Sequence, residues 1–459
     1  MSTPVLFAYW VTALCFILAL KGLSSPKHAR YGNLIGAFGA ALAVIVTLCL
    51  HGLGHRWLII VAIVIGSLLA VPAARMVKMT AIPQMVAIFN GVGGGAAALV
   101  SLTEFVKLHD TDTNAAASAV VFTAIVGSVS FSGSMITFAK LQELMTGRPI
   151  LVPGARYVTS AVGLAALGLG IATVPASSVP LLVACALLSL VLGVLFVLPV
   201  GGADVPVVIS LLNAFTGLTV AASGYVLDNT LLIVAGTLVG ASGTLLTQLM
   251  AKAMGRPITG VLFGAFKGVS TAGSTAEVTT GDRAVRSAGA EDLAILLAYA
   301  RKVAIVPGYG LAVAQAQHTA RELVDLLESR GVQVFYAIHP VAGRMPGHMN
   351  VLLAEANVPY EQLKEMDEAN PEFSSTDVAV VVGANDVVNP AARDQAGSPI
   401  YGMPILNVDE AANVVFMKRS LRPGFAGIDN ALLYHPKTTL FFGDAKDSLS
   451  KLVAAVKSL

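Results

Sequence analysis

Val303-Ala-Ile-Val-Pro-Gly-Tyr-Gly-Leu-Ala-Val313 is the stretch that decides the fold of the C-terminal part of the chain. An apolar, β-branched segment runs into a glycine-containing turn and then into helix-forming residues, which predicts a strand, a tight turn and a helix. Such glycines let the backbone approach a pyrophosphate at the start of a helix. Gly308, Tyr309 and Gly310 are therefore candidate cofactor-binding residues, and Val313 stands where a third glycine or alanine is usual. An ordinary tight turn is the alternative.

The residues that follow predict an α/β domain over 290–459. A helix over 312–330, ended by Gly331, and a strand over 332–338 complete one βαβ unit. Further strands are predicted at 378–382, 404–408 and 413–417, and the segment 439–445 closes the sheet. A short amphipathic helix is predicted over 291–300. The pattern indicates a Rossmann-like, doubly wound parallel sheet.

The end of the second strand bears on which nucleotide binds. An NAD site needs an acid there for the ribose 2′-hydroxyl, but the chain has His339 instead. Arg344 follows, and Lys418, Arg419 and Ser420 come after a later strand. Two adjacent cations and a hydroxyl suit a 2′-phosphate through charge-assisted hydrogen bonds. These residues favour NADP(H), and a solvated basic turn is the alternative for Lys418 and Arg419.

Two further loops supply candidate site residues. Gly383-Ala-Asn-Asp386 follows the strand over 378–382, so Asn385 and Asp386 lie where ligand groups collect in doubly wound sheets. A turn with an Asx cap is the alternative for these two residues. The loop over 422–430, which includes Gly424 and Asp429, is predicted to form a lid over the nucleotide.

The residues before the α/β domain indicate a membrane protein. The chain is 55% hydrophobic and only 12% charged, about half the charged fraction of a soluble domain. About nine segments are long enough to cross a bilayer, which predicts a polytopic α-helical membrane domain over 1–250. They are 4–22, 32–51, 57–74, 83–102, 117–139, 157–175, 179–199, 205–226 and 230–250. A connector over 251–289 follows, with a Gly-, Ser- and Thr-rich hinge at 269–281.

Loop charges predict the orientation of these spans. Positive residues concentrate in the loops on one side, which is also the side of the C-terminal domain. Because positive loops stay in the cytoplasm, the C-terminal domain is predicted inside and the N-terminus outside. The positive residues of these loops are Lys27, Arg30, Arg75, Lys78, Lys140, Arg148 and Arg156.

Polar residues within the spans are candidates for a polar path. Asn90 and Asn213 lie mid-span, and Asp204 precedes Asn213 by nine residues, about 13 Å of helical rise. Glycine and serine residues crowd the same spans, which indicates tight helix packing or room for water. Hydrogen bonds between helices and capping of a helix by Asp204 are the alternatives. No ionisable residue lies clearly mid-span, which argues against a proton pump with a buried carboxylate inside this chain.

Several motifs in one order resemble those of the beta subunit of proton-translocating nicotinamide nucleotide transhydrogenases. The resemblance covers the whole chain and is carried by five stretches: 306–317, 343–351, 383–386, 417–420 and 443–446. It implies a Si–Re specific NAD(P)⁺ transhydrogenase that transfers hydride from NADH to NADP⁺ and moves protons inward. It also implies an alpha partner, of one chain or two, that carries NAD(H) and further transmembrane helices. A dimer of such protomers in the bacterial inner membrane, without a metal, is implied as well.

The resemblance also implies roles for individual residues. Those at 308–310 contact the NADP(H) phosphates, those at 418–420 hold the 2′-phosphate, and Arg344 supports the phosphate region. Asp386 lies near the nicotinamide, and Asp204 and Asn213 belong to the proton route. Some family members have a histidine where this chain has Asn90, and an asparagine does not exchange a proton. The proton is then carried by a group on the partner, or by water and Asp204.

A transporter or channel gated by a nucleotide-sensing domain is the competing hypothesis from another class. It accounts for a membrane domain joined to a nucleotide-binding domain. It does not account for the cations at 418–419 or for the turn at 383–386.

Overall fold

The computed structural model describes residues 3–25, 28–49, 54–78, 81–107, 114–146, 150, 154–201, 204–253, 257–258, 285–343, 347–395, 398, 400–424 and 426–459. The chain divides into two compact units, one with the long apolar helices and one with an α/β fold. Most of the predicted connector at 251–289, including its hinge, lies outside the described residues. The domain boundaries at 250 and 290 stay predictions.

The first unit contains, within the described ranges, nine helices that are long and apolar enough to cross a bilayer, as predicted. We number them α1 to α9 in chain order. They are Thr3–Leu23, Ala29–Cys49, Arg56–Met76, Ile82–Lys107, Asn114–Leu141, Ala155–Ala176, Val179–Val197, Val205–Val226 and Thr230–Ala253.

The core of the helical unit lies among α4, α5, α7 and α8. Ala87 of α4, Leu141 of α5, Val197 of α7 and Leu212 of α8 belong to one buried cluster. Gly127 lets α5 approach α4, since a Cβ there would lie 2.7 Å from the carbonyl oxygen of Gly94. In contrast, α3 has no buried residue within the described chain, so its surface faces lipid or another chain.

The second unit alternates strands and helices. Its strands β1 to β6 are Lys302–Pro307, Gln333–Ile338, Leu363–Glu365, Val378–Val382, Asn413–Lys418 and Thr438–Phe442. Its helices α10 to α16 are Ala290–Ala298, Tyr309–Val313, Gln317–Ser329, His348–Glu355, Met366–Phe373, Ala391–Asp394 and Ala445–Ser458. Short 3₁₀ turns at Tyr360–Gln362, Asp386–Val388, Val408–Glu410 and Ala431–Tyr434 complete it.

The six strands form one sheet in the order β3-β2-β1-β4-β5-β6, and every pairing is parallel. Strand order reverses between β1 and β4, which places a topological switch point at their carboxyl ends. Helices cover both faces: Leu323 and Leu452 pack on one, and Phe373 and Leu432 on the other. The predicted Rossmann-like, doubly wound class is confirmed.

Two local predictions were wrong and one strand was missed. The segment 404–408 is not a strand, because its N–H groups are used elsewhere: Leu406 N–H donates to the Val387 carbonyl and Asn407 N–H to Asn370 Oδ1. The helix predicted over 312–330 is two helices, α11 and α12, separated at Gln315 by a positive φ of 52°. The edge strand β3 was missed, since three residues centred on a lysine carry no periodic signal.

Candidate functional site

Two loops meet at the switch point of the sheet. The N–H of Gly308, after β1, donates to the Val382 carbonyl at 2.9 Å, and the N–H of Gly310 donates to the Gly383 carbonyl at 2.9 Å. Gly383 has a φ of +68°, and a Cβ there would lie 2.4 Å from Gly310 Cα. The glycines are therefore required for the contact between the two loops as well as for any approach of a ligand.

The predicted role of Val313 differs in the structure. In the usual fingerprint the third small residue packs the helix closely on the strand. Here α11 ends at Val313, which is 51% exposed, so the position does not need a small side chain. Leu311 and Ala312, which are fully buried, supply the close packing at the start of the connection from β1 to β2.

The carboxyl ends of β4 and β5 carry a chain of polar contacts. Lys418 Nζ donates to Asn385 Oδ1 at 2.7 Å, and Asn385 Nδ2 donates to Asp386 Oδ1 at 2.9 Å. The residues meet because Val382 and Met417 are in register, so the next residues of the two strands lie side by side. Asn385 thus links a cation to a carboxylate at the edge where parallel sheets bind ligands.

The loop over 422–430 is attached to this chain of contacts. Asp386 Oδ2 accepts a hydrogen bond from the Ala426 N–H at 2.9 Å, and Asn430 Nδ2 donates to the Asn385 carbonyl at 3.1 Å. Gly424 packs on the same side chains, since a Cβ there would lie 2.4 Å from Asp386 Oδ1. Asp429 is exposed, but its carbonyl accepts a hydrogen bond from Asn389 Nδ2. The loop is thus attached to the residues that follow β4.

The predicted phosphate-binding residues at 418–420 lie together at the end of β5. Burial lowers the pKa of Lys418 below its usual range, while the carboxylates of Asp386 and Asp429 act in the opposite direction. Arg419 and Ser420 are exposed. A half-buried ammonium beside an exposed guanidinium and a hydroxyl fits a dianionic phosphate by charge and by donor chemistry. Arg344, the other predicted cation, lies outside the described residues.

His339 occupies the place after β2 where an NAD site has its acid. It is 1% exposed, its Nε2 donates to the Pro404 carbonyl at 2.7 Å, and its Nδ1 accepts from the Val341 N–H. Burial lowers the pKa of His339 to about 4, and the bond to Pro404 partly opposes this shift. His339 is therefore a neutral structural residue that ties the end of β2 to the 404–408 segment.

Because His339 is buried, the free energy of unfolding of the α/β unit should decrease as the pH is lowered through a defined window. Between pH about 6.5 and 4, His339 binds a proton in the unfolded chain but not in the folded one. The contribution of His339 to stability is therefore fully present above pH about 6.5 and is lost as the pH falls to about 4. The loss is about 3 kcal/mol. Chemical unfolding of the chain in detergent at several pH values measures it. His339→Gln should flatten the dependence, whereas His318→Gln, at an exposed position of α12, is the matched control. An unchanged slope in His339→Gln contradicts the assignment.

Two residues of this unit were missed by sequence reasoning. Asn430 is 1% exposed and, besides bonding to Asn385, caps the 3₁₀ turn after the loop. His348 is also buried, and its ring lies 6.5 Å from that of Tyr309. The only sequence feature that pointed to Asn430 was its place at the end of the loop over 422–430. The only one that pointed to His348 was its place in the stretch 343–351, which carries part of the resemblance.

Asn90 lies in a polar cluster inside the helical unit. Its Nδ2 donates to Ser134 Oγ at 3.0 Å and to Ser130 Oγ at 3.3 Å, which joins α4 to α5. Ser130 Oγ in turn lies 2.6 Å from Thr216 Oγ1 and donates to the Leu212 carbonyl of α8. The hydrogen bonds between helices that were the alternative for Asn90 are therefore present.

Asp204 and Asn213 are placed differently from Asn90. Asn213 is exposed on the described surface of α8, so the structure does not bring it into the cluster of Asn90 and Ser130. Asp204 immediately precedes α8, and its carbonyl accepts hydrogen bonds from the N–H groups of Val207 and Val208. Its side chain makes no capping hydrogen bond to α8.

These features define a class: a polytopic membrane protein with a Rossmann-like α/β unit whose β5 end carries two adjacent cations and a hydroxyl. The described residues contain no cluster of three or more His, Cys, Asp or Glu that suits a metal ion. Residues 5–455 match the family model for the NAD(P) transhydrogenase beta subunit. The chain belongs to this family.

Curated relatives agree with the family match. An NAD(P) transhydrogenase subunit beta of Rhodospirillum rubrum is 46% identical over 460 residues, which cover 98% of this chain and 98% of the relative. A protein of the same name from a defined strain of that species has the same identity and coverage. The similarity therefore extends over both the helical and the α/β unit, as the resemblance in the sequence predicted.

Proposed function

We propose that this chain holds NADP(H) on its α/β unit and exchanges hydride with NAD(H) held by an alpha partner, coupled to proton movement across the membrane. The observation that carries the proposal is the site at the ends of β4 and β5. There Lys418, Arg419 and Ser420 lie beside Asn385 and Asp386, in a chain that belongs to the transhydrogenase beta subunit family.

The 2′-phosphate of NADP(H) is the group that this site fits. Lys418 already points a donor at Asn385 Oδ1 and at the Arg422 carbonyl, at 2.7 and 3.2 Å. An arriving phosphate replaces these neutral acceptors with charged oxygens, which form shorter and stronger bonds. NADH has no phosphate at this position, so the exchange favours NADP(H). Gly308, Tyr309 and Gly310 would line the pyrophosphate, and Arg344 would support it.

Asp386 would lie near the nicotinamide, and Asn385 and Asp386 together would hold the loop over 422–430. Because Asp386 holds the Ala426 N–H and Asn385 holds Asn430, the loop over 422–430 follows any movement of these two residues. A phosphate that draws Lys418 away from Asn385 would therefore also affect the loop. NADP(H), when bound, supplies or accepts the hydride. The protein's part is to position the nucleotide and to exclude water.

The membrane part would carry the proton. Asn90, Asp204 and Asn213 are its candidate residues, and the exposed Asn213 is directed to lipid or to another chain. Asn90 cannot exchange a proton as imidazole does, so water with Asp204, or a group on the partner, would hold it. Protonation would bias the α/β unit between an open and an occluded state, with the connector at 251–289 as the hinge.

The proposed assembly is a dimer of protomers in the bacterial cytoplasmic membrane. Each protomer combines this chain with one or two alpha chains that bring the NAD(H) site and further transmembrane helices. Loop charge supports an outside N-terminus and a cytoplasmic α/β unit, where nucleotides are present. No metal is part of the proposal.

The direct test uses vesicles that contain this chain and its alpha partner. We expect NADPH formation from NADH and NADP⁺, accompanied by a change in internal pH reported by a fluorescent dye. A proton ionophore should abolish the pH change but not hydride transfer. If there is no turnover while nucleotides alter the permeability of the vesicles, the nucleotide-gated transporter is correct.

A further inference from the structure

Lys140 is the one lysine, arginine, aspartate or glutamate that is fully buried among the residues the structure describes. It lies one residue before the end of α5 and is 3% exposed. Its ammonium donates to three backbone carbonyls, those of Val197 at 3.0 Å, Leu198 at 2.6 Å and Val200 at 2.7 Å. Since a lysine ammonium has three donors, these contacts use all of them.

The three acceptors belong to the end of α7 and the connection that follows it. The last carbonyls of a helix have no partner within the helix, and they carry the negative end of its dipole. Val197, Val200 and Leu141 belong to one buried apolar cluster, and the bonds from Lys140 to the Val197 and Val200 carbonyls are buried. The Val197 carbonyl also accepts from the Val200 N–H at 3.1 Å and the Leu198 carbonyl from the Ile150 N–H at 3.0 Å. Among the described residues, Lys140 is therefore the sole donor to the Val200 carbonyl, and its loss would leave that acceptor unsatisfied.

The same connection leads directly to Asp204. Leu198 O also accepts from the Ile150 N–H, and the Gly201 carbonyl accepts from the Asp204 N–H at 2.9 Å. Val200, whose carbonyl Lys140 holds, lies four residues before Asp204. Asp204 is therefore hydrogen-bonded to Gly201, the residue directly after Val200, whose carbonyl Lys140 holds.

A second attachment between α5 and α8 lies deeper. Ser130 Oγ donates to the Leu212 carbonyl at 3.0 Å and contacts Thr216. Ser130 and Lys140 are ten residues apart on α5, about 15 Å along the helix axis. α5 thus bonds to α8 directly at one level and to the segment before α8 at the other. Together these attachments limit how far α8 can slide or turn relative to α5.

We propose that Lys140 is a positioning residue for proton translocation: it clamps the α7–α8 connection and so sets the place of Asp204 at the start of α8. The inference rests on the proposed function, because it takes Asp204 as part of the proton route. Lys140 belongs to the helical unit, whereas the candidate nucleotide-binding residues belong to the α/β unit.

The test measures hydride transfer and proton movement together in vesicles of the full complex. Lys140→Met keeps the aliphatic stem and removes the donors, and it should cause a loss of protons moved per hydride relative to the wild type. Lys140→Arg keeps charge and donors and should restore at least half of the wild-type ratio. Lys107→Met, at an exposed lysine at the end of α4, is the control and should match the wild type.

Recovery of each variant complex from membranes at the wild-type level separates this effect from misfolding. If Lys140→Met is not recovered from membranes, Lys140→Gln, which is neutral but has two amide donors, is compared with Lys140→Arg. Fewer protons moved per hydride in Lys140→Gln than in Lys140→Arg support the proposal. A wild-type number of protons per hydride in Lys140→Met or Lys140→Gln overturns the proposal. An equal loss in Lys140→Arg and Lys140→Met overturns it as well. A wild-type complex that transfers hydride without moving protons refutes the proposed function instead.

Discussion

Replacing Lys418 with alanine is expected to weaken NADPH binding by about tenfold to a hundredfold, the worth of one or two hydrogen bonds to a charged group. NADH binding should change by less than about twofold, because NADH has no 2′-phosphate for this ammonium. Lys418 is half-buried and already held at the end of β5 by Asn385, so little side-chain entropy is lost when the phosphate binds. Titration of the full chain in detergent with each nucleotide measures both affinities.

Lys437→Ala is a matched control for this experiment. Lys437 precedes β6 and so lies at the amino ends of the strands, whereas Lys418 lies at their carboxyl ends. Its Nζ donates to the carbonyls of Asp409 and Ala411. It carries the same charge, so its loss reports the general electrostatic contribution to binding. NADPH affinity should stay close to that of the wild type. Equal losses in Lys418→Ala and Lys437→Ala, or equal weakening of NADH, would remove the 2′-phosphate from this site.

Replacing Gly383 with alanine is expected to destabilise the α/β unit by about 3 kcal/mol or more. A left-handed φ costs a residue with a side chain about 1 kcal/mol, and overpacking typically adds about 1–3 kcal/mol. At this position the added Cβ would lie 2.4 Å from Gly310 Cα and 2.5 Å from the Leu311 nitrogen. Both are backbone atoms, so no side chain can rotate away, and the two loops must separate.

Gly331→Ala isolates the conformational part of this cost. Gly331 has a φ of +87°, but a Cβ there would meet no atom within 4 Å. Its substitution should therefore cost only about 1 kcal/mol. Thermal unfolding and amide hydrogen exchange of β1 and β4 distinguish the two variants. If Gly383→Ala unfolds at the same temperature as Gly331→Ala, the contact between the loops does not limit the stability of this unit.

The candidate site illustrates how far sequence patterns reach. The residue types at 383–386 and 418–420 already indicated a phosphate site at strand ends, since the carboxyl ends of parallel strands share one edge. The bond between Lys418 and Asn385 was not predictable, because it depends on the register of β4 with β5. The same limit applies to Asn430, whose side chain reaches Asn385 across 45 residues of sequence.

By itself, the sequence determined the properties that depend on local composition and period. Nine apolar segments of bilayer length and the β-branched strands of the sheet are such properties, because solvent transfer and backbone preference act on neighbouring residues. The tertiary structure alone decided which polar residues face inward. Asn90 bonds to α5 while Asn213 is exposed, although both lie mid-span, and Lys140 became a buried clamp on α7. These outcomes depend on how helices approach and rotate, and that is set by packing between residues distant in sequence.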